Sequence, residues 1–268
     1  MLLHNFRRHG NNRKDLVKST DVDKSQHILF LCTTMKESYL VKSTLKKENE
    51  MHLKGVIFDM DGTLIETTEA DFLAWKRVFA DYHKQLAFED YFPLIGMKSA
   101  MVVKTRLSLD EEETKKALVQ KMKYFSEIVT EKGIQVVPYA IKFLKQLKEE
   151  HLKIALATSS RQEKMKLVLQ LTNLNSYFDI IVTGDLVHKS KPAPDIFLKA
   201  AEKLQLKPGE CVVIEDAANG VKAAKNAGMK CVAITTTHTE ELLNQADIVI
   251  DSYEHLDLQK IYLGLKNN

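Results

Sequence analysis

The segment GVIFDMDGTLIETTEA, residues 55–70, sets a short apolar run directly against two aspartates. Residues 56–58 are Val, Ile and Phe, a composition that is typical of a buried strand. Asp59 and Asp61 follow at once, with a Gly–Thr pair directly after them. An isolated Asp–Gly pair usually marks only a turn. Two carboxylates at the end of a core strand therefore indicate chemistry only if other polar groups join them.

Short apolar runs recur along the rest of the chain and predict further buried strands. They are KIALATSS, FDIIVTGD, CVVIEDA, CVAITTT and ADIVIDS, which begin at Lys153, Phe178, Cys211, Cys231 and Ala246. Amphipathic stretches such as PYAIKFLKQLKEE and APDIFLKAAEKLQ lie between them and predict helices. This alternation predicts an α/β fold with a doubly wound parallel sheet, in which ligands bind at the carboxyl ends of the strands.

The interval between the first two strands is too long for a simple crossover. Asp59 and Thr158 are 99 residues apart, whereas a strand–helix–strand unit needs only about 30 residues. Residues 67–135 are predicted to be helical, because apolar side chains recur there at helical spacing. These are Phe72, Trp75 and Phe79, followed by a second stripe of Leu118, Met122, Phe125 and Val129. We predict a helical cap at residues 67–135, inserted into a core formed by residues 51–66 and 136–268.

The formal net charge of +3 belongs to the start of the chain. Residues 1–50 contain 10 Lys and Arg against 6 Asp and Glu, whereas the remaining residues contain 29 against 30. The body of the chain carries no excess of positive charge, so no nucleic-acid partner is expected. Residues 1–50 also lack a clear apolar period. We expect them to be a disordered leader or the product of a mis-assigned start, with Met51 as the true start.

The three cysteines, Cys32, Cys211 and Cys231, have no metal-binding spacing. The last two each open an apolar run, which is typical of buried thiols. This usage fits a reducing compartment, and a cytoplasmic location is expected. The longest apolar runs fall far below the roughly 20 residues that span a bilayer, so no membrane partner is expected.

Polar side chains lie at or just after four of the predicted strands. They are Asp59 and Asp61, then Thr158, Ser159 and Ser160, then Lys191, and finally Glu215 and Asp216. The carboxyl ends of parallel strands meet at one edge of a sheet, where several carboxylates repel each other unless a cation lies among them. Mg²⁺ is held by a few carboxylates together with water and substrate oxygens. A lysine with hydroxyl or backbone donors suits a phosphoryl group.

The segments DMDGTL, LATSS, KSKPAPD and VVIEDAANGVKAAKNAGM resemble the four motifs of the haloacid dehalogenase-like hydrolase superfamily. The chain is most similar to the branch of β-phosphoglucomutases and phosphoglycolate phosphatases, in which a helical cap follows the first motif. The resemblance covers about residues 53–251 and excludes residues 1–50. It implies a doubly wound core, a Mg²⁺ cofactor and a small phosphorylated substrate.

The resemblance also implies roles for individual residues. Asp59 would attack phosphorus and form an aspartyl-phosphate. Asp61 would protonate the leaving oxygen and then deprotonate the incoming water or alcohol. Thr158 and the backbone N–H of Ser159 would bind the phosphoryl oxygens. Lys191 would neutralise charge on the nucleophile and on the phosphate.

A metal site is implied among the same strand ends. Asp216, with Glu215 assisting, would hold Mg²⁺ together with Asp59 and the main-chain carbonyl of Asp61. Dehalogenases of the superfamily typically lack an acid/base aspartate at the position of Asp61, so phosphoryl chemistry is favoured. Such chemistry depends mainly on positioning and on charge stabilisation, which a cation and a lysine supply.

The cap separates a phosphatase from a mutase. In the β-phosphoglucomutase pattern, the first cap helix carries a histidine, and an arginine follows a cap-loop glycine. At the matching positions here, Asp71 replaces the histidine, and the GMKSA stretch from Gly96 lacks the arginine. A phosphatase for a small phosphorylated metabolite, with sugar phosphates as the favoured class, is therefore preferred over a β-phosphoglucomutase-type phosphomutase. Lys98 is the nearest cation and a candidate for substrate contact.

Two non-catalytic alternatives use similar residues. A two-component receiver domain also combines Asp, Thr and Lys on a doubly wound sheet, and a slow family member could serve as a regulatory phospho-acceptor. The 99-residue interval and the DMDGT spacing argue against the receiver. A monomeric protein is expected.

Overall fold

The computed structural model describes residues 53–95 and 97–266. The strands in these residues are β1 (Gly55–Phe58), β2 (Ile65–Glu66), β3 (Gln135–Val136), β4 (Lys153–Ala157), β5 (Ile180–Val182), β6 (Cys211–Glu215), β7 (Lys230–Ile234) and β8 (Ile248–Ile250). Six of them form one parallel sheet in the order β5-β4-β1-β6-β7-β8. Each predicted strand run supplies one of these six strands, and the predicted doubly wound α/β fold is confirmed. The predicted leader and the start at Met51 lie outside the described residues.

The described helices alternate with these strands. They are α1 (Thr68–Asp81), α2 (Phe88–Tyr91), α3 (Ser99–Val102), α4 (Glu111–Lys132), α5 (Ala140–Glu149), α6 (Gln162–Thr172), α7 (Asp195–Leu204), α8 (Ala218–Asn226) and α9 (Leu258–Lys266). A π-helical turn, Val103–Leu107, continues α3. In the described part of the chain, we find no helix with the length and hydropathy that crossing a membrane requires.

Side chains of the central strand β1 alternate between two hydrophobic cores, because successive residues of a strand point to opposite faces. Val56 and Phe58 belong to the core that also contains side chains of α5, α6 and α9. Ile57 belongs to the core on the opposite face, which contains side chains of α7 and α8. Both faces of the sheet are covered, which explains why the strand runs are apolar without alternation.

Helices α1 to α4 form the predicted cap between β1 and β4. Trp75, Phe79, Tyr91 and Val103 belong to a separate hydrophobic cluster in this part of the chain. Helix α1 packs closely along α4. The cap thus has apolar packing of its own beside the two cores of the sheet.

Helix α4 is capped at both ends. The Asp110 side chain accepts a hydrogen bond from the Glu113 backbone N–H, and Gly133 follows the last turn with a φ of 79°. The buried face, however, differs from the predicted one: it comprises Ala117, Lys121, Phe125, Ile128 and Val129. Leu118 and Met122 are only partly buried. Phe125 and Val129 of the predicted stripe are buried, and the buried Lys121 was not part of that stripe.

A two-stranded antiparallel sheet stands at the base of the cap and was not predicted. Strand β2 pairs with β3, with Ile65 opposite Val136 and Glu66 opposite Gln135. The pair lies at both ends of the segment 67–135 that we predict as the cap. The two chain crossings between core and cap are therefore hydrogen-bonded to each other.

Candidate active site

The strand order brings the predicted site residues to one edge of the sheet. Strand β1 lies between β4 and β6, with Phe58 opposite both Leu156 and Ile214. Asp59 follows β1 and donates its backbone N–H to the Ile214 carbonyl at 3.0 Å. Thr158 follows β4 in the same way. The groups that follow β1, β4 and β6 are neighbours for this reason.

Lys191 joins two carboxylates at this edge. Its Nζ lies 2.5 Å from Asp59 Oδ1 and also contacts Glu215 Oε1. Glu215 Oε2 accepts the backbone N–H groups of Asp216 and Ala217 at 2.8 and 2.9 Å. Both oxygens of Glu215 thus bind protein donors. Glu215 therefore holds Lys191 and the backbone that follows β6, and its assistance to a metal would be indirect.

The charges at this edge are poorly solvated, which shifts their proton affinities. Burial raises the pKa of Asp59 to about 7 even though Lys191 acts in the opposite direction. Burial, with the nearby Glu215 and Asp59, raises the pKa of Asp216. Burial alone would lower the pKa of Lys191, but Asp59 and Glu215 outweigh it and raise that pKa. Lys191 therefore stays charged, whereas burial disfavours the charged forms of Asp59 and Asp216.

Asp216 is fixed by hydroxyl groups from two loops. Thr63 Oγ1 donates to Asp216 Oδ1 at 2.9 Å, and Thr237 Oγ1 donates to Oδ2. Gly62 turns the chain past this carboxylate with a φ of 83°, and a Cβ there would lie 2.2 Å from Asp216 Oδ2. The glycine of the DG pair is required both by its conformation and by the closeness of Asp216.

Asp61 is held by three donors. Thr67 Oγ1 donates to Oδ1 at 2.5 Å, and Ser160 Oγ donates to Oδ2 at 2.8 Å. The ammonium group of Lys164, from the first turn of α6, lies 2.7 Å from Oδ1. The predicted acid/base group thus has a fixed orientation that involves Thr67 just before α1 and two residues of the core.

Asp71 connects this arrangement to the cap. Its two carboxylate oxygens contact Lys121 of α4 and Lys164 of α6. Burial by itself would raise the pKa of Asp71, but the two lysines outweigh it and lower the pKa to about 2. Burial lowers the pKa of Lys121 against the effect of Asp71, whereas Asp61 and Asp71 together raise the pKa of Lys164 against the effect of burial. Asp71 is therefore a charged carboxylate that binds one lysine of the cap and one lysine of the core.

A cavity of about 170 Å³ lies between cap and core. Its core wall includes the predicted residues Asp59, Asp61, Thr158, Ser159, Lys191, Glu215 and Asp216. Its cap wall includes Asp71, Trp75, Tyr91, Met97, Lys121 and Met122. The buried Thr158 is further fixed, because its Oγ1 accepts the Ser160 N–H at 3.0 Å. The chain places all its predicted phosphoryl-chemistry residues around a space suited to a small molecule.

The Lys98 side chain contacts the core and does not line the cavity. Its Nζ lies 3.4 and 3.3 Å from the backbone carbonyls of Val187 and His188, in the core. It is not among the residues that line the cavity. Lys98 therefore links the cap to the core in this structure, and substrate contact by Lys98 stays a prediction. Gly96, which begins the GMKSA stretch, is outside the described residues.

The oxygen donors at the strand edge fit Mg²⁺. In residues 53–95 and 97–266, no three His, Cys, Asp or Glu side chains come together as a complete metal centre. Mg²⁺ does not require one, because it is usually bound through one or two carboxylates and keeps water and phosphate oxygens. Burial, together with the neighbouring carboxylates, raises the pKa values of Asp59 and Asp216, so a nearby cation would favour their charged forms. A divalent cation among Asp59, Asp216 and the Asp61 carbonyl would have this effect.

Two lysines of the site, Lys121 and Lys164, were not predicted from the sequence. Lys121 could have been found, since it lies four residues from both Ala117 and Phe125 on the buried face of α4. A lysine at such a position is rarely buried without a partner. Lys164 gave no comparable signal, because one cation in the QEKMKLVLQLT helix looks like an ordinary exposed residue. Its partner Asp71 is 93 residues away in sequence.

Comparison with known proteins gives consistent relatives. A protein of Thermotoga maritima named phosphorylated carbohydrates phosphatase is 34% identical over 66% of this chain and 83% of its own length. The β-phosphoglucomutase of Bacillus subtilis is 32% identical over 78% of this chain and 94% of its own length. SUPPRESSOR OF QUENCHING 1, a chloroplastic protein of Arabidopsis thaliana, is 32% identical over 83% of this chain. The chain spans only 22% of that longer relative.

Solved structures share the same architecture. A variant of CbbY from Rhodobacter sphaeroides, in complex with xylulose-(1,5)bisphosphate, superimposes with a TM-score of 0.72 at 26% identity and covers 80% of this chain and 99% of its own. The model of the haloacid dehalogenase-like hydrolase family matches residues 56–234, which include every predicted core motif. From its sheet order, its cap, its motifs and these matches, the chain belongs to the haloacid dehalogenase-like hydrolase family.

Proposed function

We propose that the chain is a Mg²⁺-dependent phosphatase that acts on a small phosphorylated metabolite, with sugar phosphates as the favoured class. The observation that carries this proposal is the cavity in which Asp59, Asp61 and Lys191 meet beneath the cap. The Thermotoga maritima relative, named as a phosphatase of phosphorylated carbohydrates, supports the substrate class. Family membership supports hydrolysis in general.

Two chemical steps follow from the arrangement. In the first, Asp59 attacks phosphorus, the bond from phosphorus to the leaving oxygen breaks, and Asp61 gives that oxygen its proton. In the second, Asp61 takes a proton from water, whose oxygen displaces Asp59 from phosphorus. Lys191 offsets charge at Asp59 throughout, since it lies 2.5 Å from Oδ1. Thr158 and the Ser159 N–H would hold the phosphoryl oxygens.

Asp59, Asp216 and the Asp61 carbonyl would hold Mg²⁺. The ion would reduce the repulsion between the incoming phosphate and the buried carboxylates. Thr63 and Thr237 keep Asp216 in place for this purpose.

A phosphomutase is the second candidate, favoured by the extent of the match to the Bacillus subtilis β-phosphoglucomutase. A mutase must bind a bisphosphate at both ends. In this chain, Asp71 pairs with Lys121 and Lys164, two buried cations of the cavity wall that a second phosphate could otherwise use. The phosphatase is preferred because this carboxylate would repel a second phosphate. A regulatory phospho-acceptor is a third reading, and it would not release phosphate in repeated turnovers.

The deciding experiment is a release assay. Purified protein is given a panel of phosphorylated metabolites, with Mg²⁺ or with EDTA, and free phosphate is measured over many turnovers. We expect Mg²⁺-dependent release from one or more sugar phosphates and none from the Asp59→Asn variant. A variant that keeps wild-type turnover would overturn the nucleophile assignment. Faster formation of glucose 6-phosphate than of free phosphate, from β-glucose 1-phosphate with a trace of bisphosphate, would show a mutase.

The cellular setting is also a proposal. Cys211 and Cys231 are buried free thiols, consistent with a reducing cytoplasm, and we propose a monomer that acts there. Fractionation of cells and light scattering of the purified protein test the two statements.

A further inference from the structure

A line of alternating charges runs from the cap to Asp61. It begins at Lys121 on α4, passes through Asp71 on α1 and Lys164 on α6, and ends at the Asp61 carboxylate. Lys164 is 6% exposed, which is rare for a lysine and requires paired charges. The line crosses from the cap to the core between Asp71 and Lys164.

Lys164 is held on several sides. Its ammonium group lies 2.7 Å from Asp61 Oδ1, contacts Asp71, and stands 4.6 Å from the centre of the Phe125 ring. An ammonium group has three donors, and two of them face these carboxylates. A lysine fixed in this way is suited to orienting a neighbour.

We propose that Lys164 is a positioning residue for Asp61, and that Asp71 acts through Lys164 by keeping its ammonium group in place. This inference rests on the proposed function, in which Asp61 carries the proton. Lys164 and Thr67 contact Oδ1, while Ser160 holds Oδ2, so the plane of the carboxyl group is fixed. Neither Lys164 nor Asp71 takes part in bond making. Asp61 alone transfers protons: it gives one to the leaving oxygen in the first step and takes another from water in the second.

Positioning of a proton donor has a chemical signature. A sugar alkoxide leaves slowly unless its oxygen is protonated, whereas p-nitrophenolate is a weak base that departs without a proton. The ratio kcat/KM reports events up to the first irreversible step, here the departure of the leaving group. Loss of Lys164 should therefore reduce kcat/KM for a sugar phosphate much more than for p-nitrophenyl phosphate.

The experiment compares Lys164→Met with wild type on both substrates, the sugar phosphate being the one that the metabolite panel identifies. We expect a loss of about 100-fold in kcat/KM for the sugar phosphate, the usual scale of general acid catalysis. For p-nitrophenyl phosphate, the loss should stay below about fivefold. Lys164→Arg, which keeps the charge, should recover part of the selective loss. Lys166→Met, at an exposed position of the same helix, is the matched control and should change neither value.

An equal loss on the two substrates, or no loss on either, overturns the proposal, because damage to the fold alone would not select between leaving groups. If Lys164→Met fails to fold, Asp71→Asn provides a second test. It should reduce kcat/KM for the sugar phosphate more than kcat/KM for p-nitrophenyl phosphate, and an unchanged preference between the two substrates counts against the proposal. A wild-type protein without phosphatase activity removes the proposed function together with this inference. An active wild type with an unselective variant removes this inference alone.

Discussion

The carboxyl group of Glu215 fills the space that a side chain at Gly220 would need. A Cβ at Gly220 would lie 1.9 Å from both Cδ and Oε1 of Glu215. Helix α8 can therefore pass this close to the end of β6 only because it carries a glycine there. The same Glu215 carboxylate holds Lys191, which in turn contacts Asp59.

A methyl group at Gly220 should reduce phosphatase activity, because it would displace Glu215 and, through Glu215, Lys191. We expect Gly220→Ala to displace Glu215 and Lys191, to lower kcat by at least about tenfold, and to cost about 1–3 kcal/mol of stability as overpacking. Phosphate release and urea unfolding measure the two effects. Gly209→Ala is the control, since nothing lies within 4 Å of a Cβ there. Full activity of Gly220→Ala would show that Glu215 has room to adapt.

Lys191 is the main counter-charge of two buried carboxylates. We expect Lys191→Met to lose about 3–5 kcal/mol of stability, because it leaves Asp59 and Glu215 buried without their cation. Its turnover should fall about 100-fold or more. In the double variant Lys191→Met with Glu215→Gln, one uncompensated charge is gone, so stability should return in part while activity does not. Stability that fails to return would place the cost elsewhere than in the carboxylates.

Mg²⁺ binding should be visible without any substrate. We expect Mg²⁺ to raise the melting temperature of wild type, since a ligand that binds only the folded state stabilises it. Asp216→Asn should abolish this rise. Burial and neighbouring carboxylates raise the pKa of Asp216, so the variant without metal should be at least as stable as wild type at neutral pH. Asp251→Asn, at an exposed position, serves as the control and should keep the rise.

The Asp71 ion pairs should make part of the stability depend on pH. The pKa of Asp71 is lowered to about 2 from an ordinary value near 4. A lowered folded-state pKa means that the contribution, about 2 kcal/mol, is complete above pH 4 and is lost as the pH falls towards 2. The difference in unfolding free energy between wild type and Asp71→Asn should therefore shrink over this interval. A difference that stays constant from pH 5 to pH 2.5 would contradict the assigned charge state.

The sequence predicted the sheet because its strands are continuous apolar runs, and this composition leaves few other environments for them. Asp59, Thr158 and Asp216 could be placed together for a related reason: parallel strands bring their carboxyl ends to one edge, so strand assignment alone fixes their neighbourhood. The predicted motifs therefore carried most of the core site.

The cap was harder to predict in detail. Lys121 and Lys164 look like solvated helix residues until their partner is known, and that partner, Asp71, lies 50 and 93 residues away from them in sequence. Periodicity predicted α4 and a stripe of Leu118, Met122, Phe125 and Val129, of which Phe125 and Val129 are fully buried. Strands β2 and β3, of two residues each, are too short for any apolar pattern to indicate them.

The pairing of β2 with β3 sets the mechanics of the cap. Because Ile65 lies opposite Val136, the two chain crossings are paired and would move together if the cap rotated about them to admit substrate. Such a rotation would separate Asp71 from Lys164 while Lys164 and Asp61 stay together on the core. An opened cap would thus leave the proton donor less firmly held, and closure would restore it at the moment when substrate is enclosed.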